Sequence, residues 1–141
     1  MEEEINTVPI LLRPKIPHYH GETVRTLMIC SAIVILVAGA LWNALPLSIP
    51  LTIVLVIVLA VAAGLTSPNM IGIHYVNILL AAGGIFLFGN TALTEGLNLH
   101  AIAPLANEAL ALIAIITLYF ATKTLRGLII FRARKHTPVV E

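Results

Sequence analysis

The sequence predicts an all-α integral membrane fold: four transmembrane helices in an up-down-up-down bundle joined by short turns. Three observations carry this. No Asp, Glu, Lys or Arg interrupts the 69 residues from Thr26 to Thr94. A helix that spans a bilayer needs about 20 apolar residues, so this run holds at most three spans, and Ala109–Thr122 adds a fourth. A charge at the bilayer centre costs about 2.5–3.5 kcal/mol even on lenient insertion scales, whereas a soluble helix keeps one charged face in water. Finally, the chain is 59% hydrophobic and 11% charged, with a mean hydropathy of +1.00. Soluble domains carry about 25% charged residues.

Residues 1–25 read as a polar N-terminal arm. Pro9, Pro14 and Pro17 forbid a regular helix there. The first span is expected over about residues 26–45. Leu27 to Val37, followed by Ala38-Gly39-Ala40, also has the outline of a signal peptide, but the long opening segment with Glu2-Glu3-Glu4 argues against that reading. Pro46 and Pro50 bracket a tight turn, with Ser48 as the N-cap of a second span over residues 51–65. Its aliphatic, β-branched run would suit a strand in water. In lipid an open strand leaves backbone groups unpaired, so helix is the expectation. Thr66-Ser67-Pro68-Asn69 is turn chemistry. The third span is expected over residues 71–93 and the fourth over residues 105–124, with Pro104 in the first turn of the latter. The helix is expected to continue into a basic tail, residues 125–141, with Leu125, Leu128 and Ile129 facing lipid.

Charge placement orients the chain. All eight Lys and Arg lie before the first span or around the end of the last: Arg13, Lys15, Arg25, Lys123, Arg126, Arg132, Arg134 and Lys135. The positive-inside rule then puts both termini in the cytoplasm, with the inner cell membrane as the expected location. Each cation near an anionic leaflet is worth about 1 kcal/mol, so Lys123, Arg126, Arg132, Arg134 and Lys135 are candidate contacts for anionic headgroups.

Helices in lipid meet through small and weakly polar residues. His74, Asn77, Ala81, Gly84, Phe88 and Thr91 form such a seam in the third span, and Asn107, Ala111, Ala114, Thr117, Ala121 and Thr124 form one in the fourth. Both repeat at heptad-like spacing, which suits left-handed packing at about 20°. Ala32, Gly39 and Asn43 share a face of the first span, and Ala60, Ala62, Ala63 and Gly64 end the second.

Candidates for chemistry are few. His74, with Asn77 at i+3, is either a proton relay or a neutral imidazole at a helix contact. No acidic or basic residue stands deep in a span to complete a relay. Asn43, Asn77 and Asn90 either line a polar path or glue helices together. Glu95, His100 and Glu108 form a weak cation cluster, and His18-Tyr19-His20 offers only two ligands. Cys30 reads as a small hydrophobe or an acylation site; a single cysteine allows no intrachain disulfide. No metal site, cofactor motif, nucleic-acid signature or catalytic motif appears. Small multidrug transporters share the size and span count but rest on a Glu in the first span, where this chain has none.

The expectation is therefore a non-enzymatic accessory or scaffold subunit, or a homo-oligomer, partnered by other membrane subunits or by itself. The competing expectation is an oligomeric pore, carrier or holin-like protein.

Overall fold

The computed structural model describes residues 19–95 and 101–136, with the side chains of residues 135 and 136 outside that set. The described residues form four helices and no strand: α1 (Gly21–Trp42), α2 (Ile49–Leu65), α3 (Ile71–Glu95) and α4 (Ile102–His136). Three of them, α1, α3 and α4, are long and apolar enough to cross a membrane, and α2 is a shorter apolar helix of 17 residues.

Helix ends differ from the apolar boundaries in an instructive way. α1 begins at Gly21 rather than near residue 26, because Glu22 in its first turn complements the helix dipole and no proline intervenes. Apolar content marks where a span can lie; backbone hydrogen bonding decides where a helix ends. α4 runs for 35 residues, about 52 Å, so the basic segment does continue the helix.

The corner between α1 and α2 is closed by Asn43, whose φ of 44° is left-handed. Asn tolerates that region, and it lets the Ala44 N–H return to the Ala38 carbonyl at 3.0 Å. Ser48 takes the N-cap position of α2 without a side-chain cap bond. Instead its carbonyl accepts from both the backbone N–H (2.9 Å) and the hydroxyl (3.1 Å) of Thr52. Pro50 stands in the first turn, where its missing N–H costs nothing. Between α2 and α3 the Met70 N–H reaches the Ser67 carbonyl at 3.3 Å.

The seams of α3 and α4 lie where the spacing predicts. His74, Asn77, Ala81 and Phe88 are buried on α3, and Asn107, Ala114, Thr117, Ala121 and Thr124 are buried on α4. These two helices share the most extensive contact in the bundle, while α1 packs on both α2 and α4. Close approach needs glycine at two places. A Cβ on Gly84 would lie 3.3 Å from the Ala114 methyl, and one on Gly39 would lie 2.8 Å from Thr52 Cγ2.

Other expectations are corrected. The buried stripe of α1 is Val24, Met28, Ala32, Ile35 and Ala38, while Asn43 is exposed. On α2, Ala62 and Ala63 are buried but Ala60 and Gly64 face outward. Leu125 and Leu128 are buried rather than outward, and of that group Ile129 alone is exposed. The reason is register: Thr117, Ala121, Thr124 and Leu128 follow one another at 4-3-4 spacing, so the α4 seam continues into its basic stretch.

Candidate functional site

One cluster of polar side chains sits where the start of α1, the α2–α3 turn and α4 come together. His20, just before α1, donates its backbone N–H to Thr124 Oγ1 on α4 at 3.1 Å. Arg132, two turns further along α4, donates to the Asn69 carbonyl at 2.8 Å, in the turn between α2 and α3. The start of α1, the α2–α3 turn and the distal part of α4 therefore meet at one end of the bundle.

Inside this end sit His74 and Asn77, both fully buried. His74 Nε2 lies 3.1 Å from the Ser67 carbonyl. A carbonyl accepts only, so Nε2 carries the hydrogen, and in the neutral ring Nδ1 is a bare acceptor. The Asn77 amide is oriented by similar logic. Thr66 gives its hydroxyl hydrogen to the Ala62 carbonyl at 2.8 Å, so its oxygen accepts from Asn77 Nδ2 at 3.0 Å. Asn77 Oδ1 is then the other bare acceptor. Neither atom has a hydrogen-bond partner among the described residues, and the same is true of His20 Nε2. Tyr19 meets the His74 ring edge-on at 6.1 Å, and the ring of His20 packs on Phe120 at 5.3 Å. Burial, with the nearby Glu22 carboxylate adding to it, pushes the Tyr19 phenol above its usual range.

The structure brings His74 and Asn77 together and keeps the other two asparagines away from them. Asn43 is the exposed corner of α1. Asn90 is exposed near the far end of α3, where it lines, with Glu108 of α4, a groove of about 580 Å³ with otherwise apolar walls. Glu95 is exposed at the last residue of α3. His18 and His100 lie outside the described residues, and among those described no three His, Cys, Asp or Glu side chains stand together. Cys30 is free and exposed.

The basic residues run along α4. Lys123 stands 5.7 Å from the Tyr119 ring, and Arg126, Arg132 and Arg134 are exposed. The Lys135 side chain lies outside the described residues. Thr66 and Ser67 are the site residues that sequence reasoning passed over. For Thr66 a signal was present, a hydroxyl in a turn beside a buried Asn. Ser67 serves His74 through its backbone carbonyl, which residue type does not reveal, while its hydroxyl accepts from the Asn69 N–H at 3.2 Å.

At the opposite end Asn107, fully buried, donates through Nδ2 to the Ala44 carbonyl at 3.2 Å and to the Ala103 carbonyl at 3.0 Å. This arrangement can tie helices and turns together. Comparison with protein-family models, with curated proteins and with solved structures gives no match.

Proposed function

We propose that this chain is a small polytopic membrane protein that acts through helix packing, as an accessory or scaffold subunit of a larger assembly or as a homo-oligomer. The outward face of α3 carries the reading. Leu79, Phe86 and Leu93 are 73%, 80% and 86% exposed at heptad spacing. Between them stand Gly83 and Gly89, where an added Cβ would meet nothing, and the exposed amide of Asn90. Soluble monomers rarely expose an apolar stripe of this kind. In hydrocarbon it is at home, except that Asn90 then needs a partner, and a second helix supplies one.

Insertion of all four helices is part of the proposal. α2, about 25 Å long, is at the short end of what crosses a hydrocarbon core of about 30 Å. The ties His20–Thr124, Asn107–Ala44 and Arg132–Asn69 support an up-down-up-down path with both termini on one side. The basic residues make that side the cytoplasm and the anionic leaflet its neighbour.

A second reading, an oligomeric pore, carrier or holin-like protein, draws on the groove that Asn90 shares with Glu108. His74 and Asn77 are sealed within one protomer and reach that path only if the bundle opens.

Gentle solubilisation, isolation by a C-terminal tag and measurement of complex mass and composition test the proposal. Stoichiometric foreign subunits identify an accessory protein, and a defined single-chain oligomer that Asn90→Leu dissociates identifies self-association. A lone monomer under mild detergent would overturn both. A reporter fused after Glu141 should read cytoplasmic.

A further inference from the structure

The four helices do not close into a ring. α2 and α3 barely meet, although each packs well on its other neighbour. Behind that gap lies a cleft of about 280 Å³ lined by all four helices. Ile35, Phe88 and Leu110 form its floor and are nearly inaccessible, whereas Leu79 and Gly83 at its mouth face outward. Its hydroxyls come from Ser31 and Thr117, and Thr117 already donates to the Ile113 carbonyl at 2.7 Å. Water needs two to four polar partners and finds too few here. An unfilled gap forfeits the dispersion contacts of its lining. A hydrocarbon chain entering sideways restores them without desolvating a polar group.

The near end of the same gap is basic. Leu79 lies about 12 Å along α3 from Ile71, so the mouth begins roughly two turns below the α2–α3 turn. At that turn stands Arg132, exposed, with one N–H given to the Asn69 carbonyl. A guanidinium has five N–H donors in a fork that matches phosphate. A cation at the polar rim and an apolar slot beneath it are the two halves of a phospholipid site.

We infer that the α2–α3 gap binds one anionic phospholipid, its phosphate beside Arg132 and one acyl chain laid into the cleft. This rests on the membrane reading above.

The test uses the full chain in nanodiscs containing phosphatidylglycerol with a diazirine midway along one acyl chain. After irradiation, adducts are mapped by mass spectrometry. Adducts are expected on floor residues Phe88 and Leu110, which bulk lipid does not reach, as well as on outward Phe86. Unlabelled phosphatidylglycerol should compete for the floor sites and phosphatidylcholine should not. Gly83→Leu, at a position where a Cβ meets nothing within 4 Å, should fill the mouth and lower floor adducts several-fold while sparing Phe86. Arg132→Gln should abolish the headgroup preference. Wild-type adducts confined to outward residues, or floor adducts indifferent to Gly83→Leu, overturn the cleft site and leave the membrane reading standing. Equal competition by phosphatidylcholine overturns the anionic headgroup. No adducts on any span would overturn the membrane reading itself.

Discussion

Asn77 gives its amide to Thr66 Oγ1 at 3.0 Å, and Thr66 passes its own hydrogen to the Ala62 carbonyl. The two residues form a one-way relay of hydrogen bonds that pins the end of α2 to the first turns of α3. These helices otherwise barely touch, so this link and the His74 bond to the Ser67 carbonyl are what join α3 to the end of α2 and its turn.

The relay predicts coupling. Thr66→Val leaves a buried amide unpaired, and Asn77→Leu removes the donor, so each should cost about 1 kcal/mol. The double variant should cost clearly less than the sum. Unfolding in mixed detergent, read by circular dichroism as a double-mutant cycle, checks this; strict additivity would mean the contact contributes nothing.

Asn43 makes a different prediction. Its left-handed φ of 44° suits glycine and penalises β-branched residues. Asn43→Gly should leave stability within about 0.5 kcal/mol of the parent, and Asn43→Val should lose about 1 kcal/mol or more. If instead Asn43 matters through its amide, which both variants lack, Asn43→Gly will fall well below the parent alongside Asn43→Val, and their thermal midpoints will no longer separate.

The glycines separate packing from propensity. A Cβ on Gly39 would come within 2.8 Å of Thr52 Cγ2, while one on Gly64 meets nothing. Gly39→Leu should therefore destabilise by about 1–3 kcal/mol through forced separation of α1 and α2. Gly64→Leu should be neutral or mildly stabilising. Equal effects in the same unfolding assay would contradict the close approach.

Tyr19 sets an alkaline limit. Its phenol, held above the usual value near 10 first by burial and then by Glu22, is favoured neutral in the folded state. A raised folded value means the stabilisation is complete below about pH 10, the unfolded value, and is lost as pH climbs through the folded one. Wild type should lose stability above pH 10 more steeply than Tyr19→Phe. Parallel pH profiles for the two would refute this.

How much of this was legible in the sequence follows residue chemistry. The seams of α3 and α4 could be read because small and polar residues repeat there against a background of Leu and Ile. The stripe of α1 could not, since Val24, Met28 and Ile35 look the same facing a neighbour as facing lipid. Asn43, Asn77 and Asn90 are one residue type in three settings: a corner, a buried tie and an outward face. Only the path of the backbone tells them apart. Leu128 shows the same limit, as its burial follows from a register carried beyond the apolar stretch. The meeting of Arg132 with Asn69 depends on how far α4 outruns its neighbours, which apolar length does not reveal.

That overreach has a mechanical side. α4 is one continuous rod of about 52 Å, while α2 is about 25 Å. Its far end grips the α1–α2 corner through Asn107 and Ala44, and its basic end projects with Arg126, Arg132 and Arg134 exposed. A stiff beam tied at both ends, by Asn107 to Ala44 at one and by Arg132 to Asn69 at the other, carries load between them. A load that tilts the basic end is therefore felt at the Asn107 tie on the opposite side of the bundle, without any group moving through its core.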